Sequence, residues 1–409
     1  MSLREDANKI MSAALAAAMP DAAVRAVLEK AKFADGKLVL IAAGKAGWQM
    51  AKTAYDQLGS RINHGVVITK YDHSQGPIAD FAIYEAGHPI PDANSFKATQ
   101  AAIDAVTGLL SNDTVLFLLS GGGSALFEKP LIPEEDLNRL TKQLLACGAD
   151  IVEINTVRKR FSAVKGGRFA LACQPAKVFT IVLSDVLGDR LDMIASGPAY
   201  PDTTTASDVL RIVRKYNLTL TERMEHLIRD ETPKELENVE THIAGSVRQL
   251  CSAAQKACRE LGYEAVTLTD RLSCTARDAG VFLSNIAGSY ANSGKKIAFL
   301  AGGETVVYLT GNGLGGRNQE LALAAAPGIS GLNAAVFSLG SDGTDGPTDA
   351  AGGYVDGTTM ETLKGQGICI SDVLRNNDAY HALQRCDGLI ITGATGTNVN
   401  DISVLLIGE

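Results

Sequence analysis

The chain has 409 residues, 46% apolar and 21% charged, with a net charge of −8 and a pI near 5.4. That balance suits a globular protein of two or three domains. It argues against a nucleic-acid partner, because no basic block is longer than Arg158-Lys159-Arg160.

The opening stretch MSLREDANKI carries acids where a signal peptide would carry an apolar run. No stretch approaches the roughly 20 uninterrupted apolar residues of a membrane span. A cytoplasmic protein without a membrane partner is therefore expected. The seven cysteines are odd in number, scattered and free of C-x-x-C pairs, which predicts reduced thiols with no disulfides and no zinc site. Cys251 and Cys258 are seven residues apart on a predicted helix, so they share a face and read as small core residues.

Along the chain, apolar strands alternate with glycine-rich turns and helical patterns, the signature of an α/β protein with mostly parallel sheets. KLVLIAAG (37–44) reads as a strand followed by a helix from KAGWQM. GVVIT (65–69) and FAIYEAG (81–87) are short strands, and a helix follows the cap-like PDANS. DTVLFLLSGGGSA (113–125) runs from a strand into three glycines, and AKVFTIVLSDVLGD (176–189) is a strand ending in acids. Residues 202–240 are charged and helical, with RDETPKELENVE as the linker candidate. Beyond it, 240–270 reads strand, helix, strand; KKIAFLAGGETVVYLTG (295–311) reads as two strands around Gly302-Gly303-Glu304; GGRNQE opens a helix; and GLIITGATGTNVNDISVLLIGE closes the chain with two strands around a loop. The simplest parse is two α/β/α domains, a Rossmann-like one over 1–235 and a second over 236–409, with an active-site cleft between them.

In open α/β sheets ligands sit beyond the carboxyl ends of strands, where turns and helix starts present free N–H groups. AAGKAG (42–47) puts Lys45 there, either as a surface lysine or as a contact for phosphate or carboxylate. In LLSGGGSALFEKP (118–130), Gly121, Gly122, Gly123 and Ser124 suit an anion nest. The run 154–170 gathers Asn155, Arg158, Lys159, Arg160, Lys165 and Arg168, read either as a solvated basic face or as a binder of anionic substrate. Asp185 and Asp189 in VLSDVLGD read as metal ligand, base or helix cap. Glu304 either begins a hairpin or belongs to a site. Arg317 repeats the Lys45 pattern of a cation at a helix start. His88 in GHPIPD is structural or functional, and Asn398 lies in the amide- and hydroxyl-rich TGATGTNVND. The loop SLGSDGTDGPTDAAGG (338–353) offers Asp342 and Asp345 as carboxylates for a hard cation, with Asp349 a turn residue. It lacks the ligand spacing of a calcium loop.

The chain contains no G-x-x-x-x-G-K-[S/T], no helix-opening G-x-G-x-x-G, no G-x-S-x-G and no H-E-x-x-H. Anion-binding loops, cations at helix starts and carboxylates at strand ends suit phosphoryl transfer, in which catalysis is largely positioning and charge neutralisation.

LLSGGGSALFEKP, NTVRKRFSAVKGGRFA, LSDVLGDRLDMIASGP, GGRNQELALAAA, GSDGTDGPTDAAGGYVDG and TGATGTNVNDISVLL, in this order, resemble the glycerate 2-kinase family with a C-terminal MOFRL domain, many of whose members carry a hydroxypyruvate reductase label. The resemblance spans nearly the whole chain and places the MOFRL-type region at about 295–409. It implies ATP- and Mg²⁺-dependent phosphorylation of D-glycerate to 2-phosphoglycerate in an interdomain cleft. It further implies Lys45, Arg317 and Asp185 as catalytic. Gly121, Gly122, Gly123, Ser124, Asn155, Arg160, Lys165, His88 and Asn398 are the expected substrate or phosphate contacts, and Asp189, Glu304, Asp342 and Asp345 the expected metal ligands. Cys274-Thr275 stands where a glycine-glutamate pair is expected, and Ala394 where proline is common. The alternatives are an NAD(P)H-dependent hydroxypyruvate reductase, disfavoured by the missing G-x-G-x-x-G, and a non-catalytic sugar-acid sensor. Oligomeric state stays open, with a homodimer among the options.

Overall fold

The computed structural model describes residues 2–409 except Asp185, Leu187 and Asp189. Two compact units account for the described chain: one holds Ala23–Ser184 and resumes after Gly188 to end at Ala244, and the other joins the residues through Ala22, with Val186 and Gly188, to Gly245–Glu409.

The first unit carries six strands: β1 (Leu38–Ala43), β2 (His64–Lys70), β3 (Ala82–Ala86), β4 (Thr114–Leu119), β5 (Lys177–Leu183) and β6 (Val239–Gly245). Their order across the sheet is β3-β2-β1-β4-β5-β6, and the pairings among β1 to β5 are all parallel. β1 and β4 are apolar and buried along their whole length, as strands covered by helices on both faces must be. This is the strand order of a doubly wound fold. Its direction of winding reverses between β1 and β4, so the crevice for a ligand falls at the loops after those two strands. Asp92 starts the helix Ala93–Val106 by accepting the Ser95 N–H, as the PDANS motif predicts.

The second unit carries β7 (Glu264–Leu272), β8 (Ile297–Gly303), β9 (Ala334–Gly340), β10 (Gly352–Asp356), β11 (Leu389–Ile390) and β12 (Asp401–Ile407), in the order β11-β10-β9-β12-β8-β7. The α/β class expected from the sequence holds in both units. Parallel pairing dominates the first sheet. In the second, β7 and β8 are parallel, whereas the final strand β12 inserts antiparallel between β8 and β9 and β10 and β11 follow antiparallel. Cys251 and Cys258 lie buried on the helix Val247–Glu260, in the core beneath this sheet.

Two sequence expectations shift. TVVYLTG was read as a strand, but 304–316 contains only an isolated bridge from Val306 to Thr275. The backbone there is committed elsewhere: Thr310 and Gly311 donate to Asn377 Oδ1 at 2.7 and 3.0 Å. The expected boundary at 235/236 also moves, to 244/245, because β6 is a strand of the first sheet. The helix Leu3–Ala18 belongs with the second unit, where Ala7, Ile10, Met11 and Ala14 pack into its core. No single helix is long and apolar enough to cross a membrane among the described residues.

Asp6 anchors that first helix. It accepts from Tyr263 Oη at 2.8 Å and pairs with Lys296 Nζ at 3.1 Å. Burial alone would raise its carboxyl, but the bonds from Tyr263 and Lys296 outweigh it and hold the group below its ordinary range. Removing the carboxylate strands a buried hydroxyl and an ammonium. Asp6→Ala is therefore expected to destabilise the protein by ~3 kcal/mol, read as a lowered denaturant midpoint.

Candidate active site

At the reversal point of the first sheet, the loops after β1 and β4 are bonded to each other. Lys45 N donates to Gly121 O at 2.8 Å and Ala46 N donates to Ser120 Oγ at 3.1 Å. Gly44 takes φ +129° with its missing Cβ directed at Ser120, so only glycine allows the loops this approach. Gly122 is left-handed, and a Cβ there would sit 3.1 Å from both Lys45 Cγ and His88 Cδ2. The three glycines, Lys45 and His88 therefore form one cluster. Lys45 is half-buried, and among the described residues no carboxylate lies within 4 Å of its ammonium. A half-buried cation without a counter-charge favours an anion beside it. Burial, with Lys45, Lys70 and His73 nearby, lowers His88 to about 4, so its imidazole is neutral at pH 7 and works by hydrogen bonding, not by charge.

The basic run 158–168 is not a solvated face, because its cations turn inward. Lys159, Arg160 and Lys165 are essentially inaccessible to solvent. Lys159 pairs with Asp202 at 3.2 Å. Arg160 donates to the carbonyls of Asp230 and Thr204 and to Glu231 at 2.9–3.0 Å. Lys165 donates to the carbonyls of Ser124 (2.8 Å) and Phe127 (3.1 Å) and pairs with Glu128 at 3.1 Å; burial lowers it to about 8 against the opposing pull of Glu128. Arg168 gathers the carbonyls of Lys159, Arg160 and Ser162. Arg160 and Lys165, expected as substrate contacts, are both buried and bonded within the protein. The three bonds of Lys165 stay inside the protein and pin the turn that follows the glycine loop, whereas the buried Nε of Arg160 has no partner among the described residues. Asn155 is buried and accepts from Ser196 Oγ at 2.9 Å.

In the second unit, β12 begins between the carboxyl ends of β8 and β9, with Asp401 opposite both Gly303 and Gly340. Arg317, the first residue of the helix Arg317–Ile329, donates Nε and Nη2 to the two oxygens of Asp401 at 2.6 and 3.0 Å and Nη1 to Glu304 at 2.9 Å. This fork-to-fork pair fixes the plane of the guanidinium. Burial pushes Asp401 up to about 6 although Arg317 opposes the rise, so the carboxylate is ionised at neutral pH and is lost as pH falls through that value. Asp345 is buried and caps the same helix from a distant loop: Oδ1 accepts from Asn318 N at 3.1 Å and Oδ2 from Gln319 N at 2.9 Å. Both its oxygens are taken, which favours a helix cap over the expected metal ligand. Asp342 bonds Thr344 N through Oδ1 at 3.0 Å. A Cβ at Gly340 would lie 3.2 Å from that oxygen and 3.4 Å from Asp401 Oδ1, so two carboxylates flank this glycine. Asn398 accepts from Asn400 N at 3.4 Å in the loop before β12. Asp349 accepts from Tyr380 Oη at 2.8 Å, holding its turn.

Asp185 and Asp189 lie outside the described residues. Among those described, no group of three or more His, Cys, Asp or Glu side chains could hold a metal ion. Glu304 and Asp342 are nonetheless carboxylates that follow β8 and β9, the two strands flanking β12. Mg²⁺ needs only one or two such oxygens, with phosphate and water completing its shell, so the donor set fits that ion. Asp401 is not singled out by the sequence, where it closes the loop TGATGTNVND just before an apolar strand. Ser196 was missed because nothing local marks it. At 274–275, Thr275 caps the helix Ala276–Tyr290 through Asp278 N.

These features describe a two-unit α/β protein with a doubly wound first sheet and clustered charge at strand ends. A family model described as a domain of unknown function (DUF4147) matches residues 6–229, and the MOFRL family model matches 297–401. A D-glycerate 2-kinase of Thermotoga maritima is 51% identical over 99% of both chains. A protein of Agrobacterium vitis with a provisional hydroxypyruvate reductase name is 38% identical over all of this chain and 95% of its own. The crystal structure of a glycerate kinase from Thermotoga maritima superposes with a TM-score of 0.97 at 51% identity, over 99% of each chain. The chain belongs to the glycerate 2-kinase family.

Two outcomes follow. Arg160→Ala should cost ~3 kcal/mol of stability in urea unfolding and leave KM values unchanged, because a buried charge network is broken and no ligand contact is lost. Asp401→Asn should lower kcat/KM by about tenfold or more and abolish an acid limb near pH 6, measured as a pH–rate profile of both proteins.

Proposed function

We propose that this protein is a glycerate 2-kinase that uses ATP to phosphorylate D-glycerate, giving 2-phosphoglycerate. The observation that carries this reading is Lys45: a half-buried cation with no carboxylate partner among the described residues, at the reversal point of the first sheet, in a chain matched end to end by a D-glycerate 2-kinase.

In this reading Lys45 neutralises charge on the transferring phosphoryl group, and the glycine loop 121–123 lets phosphate oxygens approach the backbone. Arg317, its plane held by Asp401, pairs with the glycerate carboxylate through the N–H edges Asp401 leaves free. Asp185 accepts the proton of the attacking hydroxyl. Glu304 and Asp342, with Asp189, are the carboxylates that would hold Mg²⁺, which supplies neutralisation of phosphate charge when bound. Neutral His88 contributes a hydrogen bond beside Lys45. All seven cysteines are free, which suits the reducing cytoplasm.

The test is direct. Protein, D-glycerate, ATP and Mg²⁺ should yield ADP, and the absence of ADP above background at millimolar substrate overturns the proposal. Lys45→Ala and Arg317→Ala should each lower kcat/KM by about a hundredfold or more, on the order of 3 kcal/mol of transition-state stabilisation. Near-normal turnover in either variant removes its assigned role. The name of the Agrobacterium vitis relative motivates a second assay, NAD(P)H oxidation with hydroxypyruvate, in which activity would favour the reductase.

A further inference from the structure

Behind the glycine loop lies a chain of three polar side chains. Ser124 Oγ is 3.2 Å from Ser196 Oγ, and Ser196 Oγ donates to Asn155 Oδ1 at 2.9 Å. Each hydroxyl has one proton, and an amide oxygen can only accept. The single proton of Ser196 is therefore spent on Asn155, so Ser196 can meet Ser124 only as an acceptor. The proton of Ser124 then has Ser196 as its acceptor among the described side chains. Ser196 and Asn155 are buried, so bulk water is not there to reverse the direction. Ser124, the half-buried end of the chain, is left with lone pairs and no proton to offer.

The backbone holds this arrangement at some cost. Ala195, Ser196 and Gly197 are consecutive left-handed residues, at φ 49°, 62° and 66°, and two of them carry a Cβ that disfavours that region. The turn is latched from outside: Gly166 N donates to Ser196 O at 3.0 Å and Gly167 N to Gly197 O at 2.7 Å. Gly123 leaves room for Ala195, whose Cβ would stand 2.7 Å from a Cβ at that position. Lys165 meanwhile fixes the Ser124 carbonyl. Both the backbone and the hydroxyl of Ser124 are thus constrained.

We propose that Ser124 recognises a hydrogen-bond donor, an alcohol O–H of the small hydroxy acid, and disfavours a phosphate or carboxylate oxygen, with Ser196 and Asn155 as positioning residues that set this polarity. Phosphate and carboxylate oxygens would face lone pairs with lone pairs; an alcohol brings the missing proton. This rests on the reading that the loop 120–124 faces substrate, and it revises the role of Ser124 from phosphate contact to hydroxyl selector.

The test compares two three-carbon acids by calorimetry, which needs no turnover. 3-Hydroxypropionate presents an alcohol where malonate presents a second carboxylate. Because the extra charge of malonate also interacts with nearby cations, the quantity to read is the change in the affinity ratio between variants. Ser196→Ala frees the Ser124 proton and should shift the ratio by about tenfold or more toward malonate. Ser124→Ala should weaken 3-hydroxypropionate and leave malonate unchanged or tighter. An unchanged ratio in Ser124→Ala, or no binding of either acid to the wild type, overturns the proposal. Should Ser196→Ala fail to fold, Ser124→Ala at its half-buried position decides alone. Failure of ADP formation with a shifted ratio would sink the kinase reading and leave Ser124 as a hydroxyl selector.

Discussion

A charge removed from water must be given a partner, and much of the functional architecture follows from that constraint. In the first unit, Lys159, Arg160 and Lys165 are drawn into the interior and answered by Asp202, Glu231 and Glu128. In the second, Arg317 is answered by Asp401 and Glu304, and the buried carboxylate of Asp345 by the N–H groups that open a helix. Once these pairs are assigned, Lys45, like Lys70 and Lys129, is a partly buried cation that no described carboxylate matches, and of the three it is Lys45 whose backbone is bonded to the glycine loop. That bond falls where the winding of the first sheet reverses.

The pairs also position. Lys165 is fully buried, and its bonds to the carbonyls of Ser124 and Phe127 set the turn beyond the three glycines. Asp401 fixes the plane of Arg317 from a strand 84 residues away. Asp345 fixes the start of the helix that Arg317 begins. In each case a group that touches no ligand decides where one that would touch ligand can point, and the rigidity comes from burial because a bond in low dielectric is costly to break. The left-handed turn at Ala195–Gly197 follows the same logic, with backbone strain held by external hydrogen bonds.

The strand ends and glycine turns were legible because they obey local rules. A continuous apolar run ending in glycine reads as a buried strand and its turn, and this placed Lys45, the 121–123 loop, Glu304 and Arg317 at element boundaries before any coordinates. The TVVYLTG segment misled for the same reason: it is β-branched and apolar, but its backbone donors are claimed by Asn377, 66 and 67 residues away. The basic run misled more deeply. Five cations in seventeen residues look like a surface or an anion site, and the acids that absorb them lie 43 and 71 residues on in sequence for Lys159 and Arg160.

What the sequence determined by itself was the α/β class, the order of most elements, the family and the list of chemical groups available at strand ends, because periodicity, glycine placement and motif order are local properties. What only the tertiary structure decided was how those groups are used. The strand order that brings the loops after β1 and β4 together, the antiparallel insertion of β12 that delivers Asp401 to Arg317, and the burial that turns Arg160 and Lys165 inward all depend on contacts between distant segments. So does the direction of a single proton on Ser124, which is set by an amide 31 residues further along the chain acting through a serine 72 residues from Ser124.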